Sequence, residues 1–331
     1  MSEQEHRFDV AQLVSVALFS PKPDETVRFF HDFLGMEISH QEGQAVYLRA
    51  YEDFYQYTMK VVEAPQAGME AVTWRAASPQ ALERRVQALE AAGLGLGWVE
   101  DDYAHGPAYK FTSPDGHVQK LLWELDYYQA PPEMKSKLKN RPQKRPLRGV
   151  PVRRIDHVNL MVSDVPQNTD FFANVLNFKI REQKIGDGGA LVGSWLSVSP
   201  LVHELAVMKD SSGAKGRFHH VAYWYGAPQH LLDIADIFSD YDIIIEGGPG
   251  KHGTTQAYYM YVFEPGGNRV ELFGDTGYLI FDPDWQTVIW DVANEVDLEK
   301  SSIWFGGHLP KTFYTYGTPP VESLEVLMGS A

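Results

Sequence analysis

The chain has no cysteine. Disulfides, cysteine nucleophiles, thiolate metal sites and iron–sulfur clusters are therefore excluded. It is also short of positive charge: 29 Lys and Arg stand against 44 Asp and Glu, a formal net charge of −15. Such a chain repels phosphate instead of releasing counterions from it, which excludes a general nucleic-acid binder. No stretch approaches the roughly 18 uninterrupted apolar residues that a membrane-spanning helix needs. The opening MSEQEHRFDV has no apolar h-region, so no secretory leader is expected and the cytoplasm is the default location. What is present is ordinary for a globular protein, with 44% hydrophobic and 22% charged residues. A length of 331 residues suggests two domains or one large one. With thiolates gone, any metal must be held by His, Asp, Glu or backbone oxygen, and the 12 histidines leave that open.

Residues 135–154, KSKLKNRPQKRPLRGVPVRR, hold nine basic residues, no acidic ones and three prolines. Prolines at this density fit neither a helix interior nor a central strand. The segment reads as an interdomain linker draped over an acidic surface.

On either side of this linker the chain repeats itself. ETVRFFHDFLGMEI in the first half matches QNTDFFANVLNFKI in the second, each an amphipathic helix running into a strand. The strands LVSVALFS and DHVNLMVS precede them. A second match aligns Trp74 with Trp224, each in a strand before a Ser-Pro or Ala-Pro helix start. A third pairs SPDGHVQKLLW with EPGGNRVELFG, where Pro-Asp-Gly and Pro-Gly-Gly are hairpin turns. The fold is therefore expected to be α+β, with four βαβββ modules in two paired-module domains. The expected divisions are 1–134, the linker 135–154, a catalytic half over 155–277, and a C-terminal extension over 278–331. Paired units of this kind close a curved sheet around a hollow, a natural ligand site.

The repeat makes one half a control for the other. The second half places His157, His220 and Glu271 at equivalent-looking strand positions, and their first-half counterparts read as Ser15, Glu70 and Lys120. Ser15 is a poor ligand and Lys120 is protonated, so the first half is expected to hold no metal there. Two imidazoles and a carboxylate form the facial triad that leaves three positions open on Fe(II). Three open positions admit a bidentate substrate and dioxygen together. Glu271 lies in an apolar strand between Val270 and Leu272, and a buried carboxylate needs a cation or a hydrogen-bond partner. Among the other histidines, His219 is expected to point away from His220 on a strand. His105 and His117 read as surface residues. Arg217 and Lys215 read as a solvated face.

These residues carry a resemblance. GNRVELF, preceded by TTQAYYMYVFEPG, together with His157 and His220, resembles the type I extradiol ring-cleaving dioxygenases of the vicinal oxygen chelate superfamily. The resemblance covers essentially the whole chain. It implies Fe(II), with Mn(II) possible, held by His157, His220 and Glu271. It also implies a catecholic substrate cleaved by O₂ beside its diol, and commonly a homotetramer. Three further positions match family residues. His203, in LVHELAV, matches the His that assists proton transfer and stabilises the bound oxygen species. His252, in KHGTTQ, matches the His that hydrogen-bonds the substrate oxygen. Tyr261 matches the Tyr that contacts the substrate, while Tyr258 and Tyr259 read as packing. Other readings on the same scaffold are a bulkier or carboxylated catechol, a glyoxalase-like isomerase or thiol transferase, and a metal-free small-molecule binder. The intact second-half triad argues against the last.

Overall fold

The computed structural model describes residues 8–100 and 102–328. The first module runs β1 (Val10–Ser20), α1 (Pro23–Arg28), β2 (Glu37–Glu42), β3 (Ala45–Arg49) and β4 (Met59–Glu63). The second runs β5 (Gly68–Ala76), α2 (Pro79–Ala91), β6 (Gly95–Val99), β7 (Ala108–Thr112) and β8 (Val118–Leu122). The third runs β9 (Arg154–Val162), α3 (Val165–Asp170), β10 (Lys179–Ile185), β11 (Leu191–Ser197) and β12 (Leu205–Lys209). The fourth runs β13 (Arg217–Trp224), α4 (Gln229–Asp240), β14 (Ile245–Lys251), β15 (Tyr258–Phe263) and β16 (Arg269–Phe273). After these come β17 (Val288–Asp291), α5 (Glu295–Ser302), α6 (Lys311–Thr315) and α7 (Leu324–Met328). The α+β class and the βαβββ modules are as the repeat predicts.

The first two modules form an eight-stranded sheet in the order β2-β3-β4-β1-β5-β8-β7-β6. The last two repeat that order, and β17 adds a ninth strand beside β10. In each sheet the two modules join through an antiparallel central pair, β1 with β5 and β9 with β13. Local chemistry sets the element ends. Ser78 caps α2 by accepting from the Ala81 amide at 3.0 Å, with Pro79 in the first turn. The turn between β15 and β16 closes with the Glu264 amide donating to the Asn268 carbonyl at 3.0 Å. Its Gly267 sits at φ +104°, a conformation only glycine adopts without strain.

The helices of the two halves meet in one shared core. Both α1 and α3 end in a π-helical turn carrying the Phe-Phe pair, Phe29–Phe33 and Phe171–Val175. Phe29 stacks on Phe238 of α4 at 5.7 Å, and Trp74 of β5 meets Phe178 edge-on at 5.0 Å. A buried Phe is worth about 1.5–3 kcal/mol, so these contacts are a core between the sheets rather than a surface contact. The basic run covers the seam. Arg153 pairs with Glu52 at 2.7 Å and Arg148 with Glu37 at 2.9 Å.

Strand registers correct one expected equivalence. Glu271 pairs with Ala222 across β13–β16, and Lys120 pairs with Thr73 across β5–β8. Lys120 is thus the counterpart of Glu271, but His220 then corresponds to Ala71, and Glu70 corresponds to His219. The shared tryptophan misleads. Trp74 is buried and its counterpart is buried Tyr223, whereas Trp224 lies half-exposed under Arg153 and Arg154.

Three surface expectations also fail. His117 is buried, with Nε2 2.9 Å from the Arg217 carbonyl and Nδ1 2.9 Å from Ser113 Oγ. His105 stacks on Tyr57 at 4.6 Å, and burial holds its imidazole down at about 4. Arg217 is buried in an ion pair with Asp210 at 2.9 Å, while Lys215 is exposed as expected.

Candidate metal centre

Each donor is placed by a different strand of the second sheet. His157 comes from β9, His220 from β13 and Glu271 from β16. All three are buried, and one ligand atom of each lies within 4.8 Å of the other two. Nε2 of His157 is 2.8 Å from Glu271 Oε2, and Nε2 of His220 is 3.0 Å from the same oxygen. The two imidazole Nε2 atoms are 3.2 Å apart. The outer nitrogens are held as well: His157 Nδ1 lies 2.9 Å from Asp156 Oδ1, and His220 Nδ1 lies 2.6 Å from His219 Nδ1.

This donor set fits a divalent metal. Glu271 Oε1 is buried and has no hydrogen-bond partner, a costly state that a cation relieves. The carboxylate behind His157 is the outer support that metal-binding histidines ordinarily have. Electrostatics of the bare site agree. Burial works against charge on His157, but Glu271 and Asp156 outweigh it and raise its imidazole to about 9. Burial also opposes charge on Glu271, yet the two histidines hold its carboxyl well below the usual range.

The donors form one wall of a cavity of about 280 Å³. Its apolar lining includes Val192, Trp195, Met208, Phe273 and Leu298. All three further positions from the sequence reach it. His203 packs its ring against His157 at 4.0 Å between centroids, and its Nδ1 has no partner. Burial pushes its imidazole well below the ordinary range, and the nearby His157 adds to this. His252 Nδ1 lies 2.5 Å from the Ser302 carbonyl, so its N–H donates there and Nε2 faces Tyr261 Oη at 3.0 Å. Tyr261 stands directly opposite Glu271 across β15–β16, so both point into the cavity. Burial and the Glu271 charge keep its phenol protonated. Tyr259 stacks on His252 at 3.8 Å, and Tyr258 packs on Phe305.

His219 does not behave as strand alternation predicts. The β9–β13 register skips from Phe218 to His220, so His219 is the extra residue of a bulge. Its ring therefore meets that of His220 edge-on at 4.8 Å. Two further residues escape sequence reasoning. Lys184 and Trp195 reach the cavity wall from β10 and β11. The Lys184 ammonium lies 3.2 Å from Ser302 Oγ and 5.3 Å from the Trp195 ring, and burial lowers it to about 8. No local signal marks it, because β10 reads KIREQKI, with Lys184 one of three basic residues in the strand.

The first sheet offers a contrast at the same place. Lys120 and Lys60 converge on Asp102, and Lys60 also reaches Glu70 at 3.3 Å. Two ammonium groups and two carboxylates neutralise one another there.

Residues 154–272 match the Glyoxalase/Bleomycin resistance protein/Dioxygenase superfamily. The chain is 53% identical to a metapyrocatechase of Geobacillus stearothermophilus over 98% of both chains. It is 36% identical to a manganese-dependent 2,3-dihydroxybiphenyl 1,2-dioxygenase of Geobacillus genomosp. 3, over 90% of this chain and 94% of that one. Among solved structures, an extradiol ring-cleaving dioxygenase from B. fuscum superposes with a TM-score of 0.82 at 23% identity, covering 93% of this chain and 82% of that one. That structure shares the fold. At the identity and length of the first relative, the chain belongs to the metapyrocatechases, the catechol 2,3-dioxygenases of the vicinal oxygen chelate superfamily, and is an extradiol ring-cleaving dioxygenase.

Proposed function

We propose that this chain opens catechol or an alkylcatechol beside its diol, consuming O₂ and releasing a 2-hydroxymuconic semialdehyde. Nε2 of His157, Nε2 of His220 and the Glu271 carboxylate would hold Fe(II), the metal we assign, with Mn(II) the other ion this N₂O set accepts. The observation that carries the reading is the buried donor set with its unpartnered carboxylate oxygen, set in the wall of a largely apolar cavity. When bound, the metal supplies Lewis acidity toward the diol and a path for electrons between the ring and dioxygen.

The chain's own residues do the rest. His203 is neutral and its Nδ1 is free, so it can take a substrate proton and return it. His252 presents Nε2 as an acceptor because its other nitrogen is committed to Ser302. Tyr261 remains a phenol and donates into the same space. The apolar wall excludes water from the reacting groups. A cavity of about 280 Å³ lies at the small end of ligand pockets, which suits a single-ring substrate. A second reading, a biaryl diol, is favoured by the 36% identical dihydroxybiphenyl enzyme.

We further propose that 1–134 binds no metal, that 135–154 links it to a catalytic half over 155–277, and that 278–331 covers that half. A cytoplasmic homotetramer is the expected assembly. No helix among the described residues is long and apolar enough to cross a membrane. The test is a substrate panel of catechol, 3-methylcatechol, 4-methylcatechol, 2,3-dihydroxybiphenyl and homoprotocatechuate with Fe(II)-loaded and Mn(II)-loaded protein. Yellow product from catechol with bound iron supports the reading. Metal-free protein that turns over, or catechol ranked last, overturns it.

A further inference from the structure

The α6 segment reaches one of the metal donors through an imidazole. His219 Nε2 lies 2.7 Å from the Phe313 carbonyl, so its N–H donates there. A neutral imidazole has one N–H, so Nδ1 of His219 is a lone pair. That lone pair faces Nδ1 of His220 at 2.6 Å. The contact is a hydrogen bond only when His220 carries its proton on Nδ1. Nε2 of His220 is then a lone pair aimed at Glu271 and His157, the form a metal requires. A backbone carbonyl of α6 thereby selects the tautomer of a ligand two hydrogen bonds away.

The same segment is fastened from both sides. Arg269, paired with Glu246, donates to the carbonyls of Thr312 at 3.1 Å and Tyr316 at 3.0 Å. Arg217, paired with Asp210, donates to those of Thr315 at 3.1 Å and Gly317 at 3.0 Å. Phe218 and Thr318 exchange both backbone hydrogen bonds, at 2.7 and 2.9 Å. The segment therefore pairs with the strand that carries His220. Neither arginine faces the cavity.

We infer that residues 310–319 and the metal bind cooperatively, with His219 as the positioning residue that couples them. The inference rests on the assignment of His157, His220 and Glu271 as ligands. Coupling is reciprocal: a segment that favours the ligating tautomer must itself be stabilised when the metal is bound. His219 touches neither metal nor substrate in this account.

The test uses the full chain with Mn(II), which needs no protection from air. Hydrogen exchange at the amides of Phe313, Tyr316 and Thr318 is followed with and without metal, with amides of β2 and β3 as an internal reference. Metal should slow exchange in the segment more than in the reference strands. This arm needs no variant. The second arm measures Mn(II) affinity by chelator competition in His219→Phe and His219→Gln. Glutamine carries an acceptor and a donor on one amide and should stay close to wild type. Phenylalanine fills the space with neither and should lose about 10–100-fold in affinity, the usual effect of removing an outer support, together with the metal-dependent protection. Wild-type affinity in His219→Phe, or unchanged exchange in the segment, overturns the coupling alone. A wild-type chain that binds no Mn(II) overturns the ligand assignment and the coupling with it.

Discussion

Lys120 and Glu271 hold the same place in the two sheets, each paired across to the equivalent strand, at Thr73 and Ala222. One half sets an ammonium where the other sets a carboxylate. That reversal separates a hollow filled by its own ion pairs from one that needs a cation. Lys60, Lys120, Asp102 and Glu70 leave no net negative charge to attract a metal. Metal analysis after chelating-resin treatment should give about one ion per chain, set by one facial triad. A reproducible value near two would refute the contrast.

Replacing His157, His220 or Glu271 by Ala should abolish bound metal and turnover while the chain stays folded. The first half already folds with Ser15, Ala71 and Lys120 in those positions. Metal content and circular dichroism check this together. A variant with full metal and full rate removes that residue from the ligand set.

His203→Gln should keep metal and catechol affinity yet lose kcat by about 10²–10⁴, the usual worth of general acid–base catalysis. Tyr261→Phe removes one hydrogen-bond donor and should cost less. Steady-state kinetics decide: an effect of His203→Gln on KM alone makes it a binding group and shifts the proton role to His252.

Catechols bearing a carboxylate should be poor substrates. Among the described residues no arginine lines the cavity to pair such a group bidentately, and Arg217 and Arg269 are committed to Asp210, Glu246 and backbone carbonyls. Two lysines lie on the wall: Lys184 is lowered to about 8 by burial and donates to Ser302, and Lys209 donates to the Ser163 carbonyl. A kcat/KM for homoprotocatechuate above that for catechol contradicts this, and loss of that preference in Lys184→Met would identify the anion reader.

Glu204 should make stability depend on pH. Its carboxylate accepts from the Val198 amide at 2.9 Å, but burial dominates and raises it from 4.5 to about 7. Between those values the folded chain holds a proton that the unfolded chain has released, so stability falls as pH rises through the window. The loss reaches about 3 kcal/mol at most, at 1.36 kcal/mol per pKa unit. Glu204→Gln should stabilise the protein at pH 8 and change little at pH 4. Denaturant midpoints at the two pH values measure the difference; equal shifts at both would show that the proton is not involved.

The repeat is legible in the sequence because its punctuation survives in both halves: the Phe-Phe pair, the proline-started helices and the Pro-Asp-Gly and Pro-Gly-Gly turns. The donor set is legible because the other half lacks it. Other features depend on contacts that no local pattern records. His117 is covered by the Arg217 carbonyl, and Arg217 by a segment near the C-terminus. Lys184 and Trp195 face the cavity only because their strands wrap around it. His219 sits in a bulge, and a bulge is visible in register rather than in composition. Trp74 and Trp224 invite a pairing by identity, whereas burial pairs Trp74 with Tyr223.

The roof of the cavity has a further consequence. Leu298, Ser301, Ser302, Leu309 and Phe313 cover donors that lie far earlier in the chain. All three donors precede every residue of that roof in the chain. A chain cut short before Leu298 would keep the donors and lose this side of the cavity, so metal would reach them by a wider route.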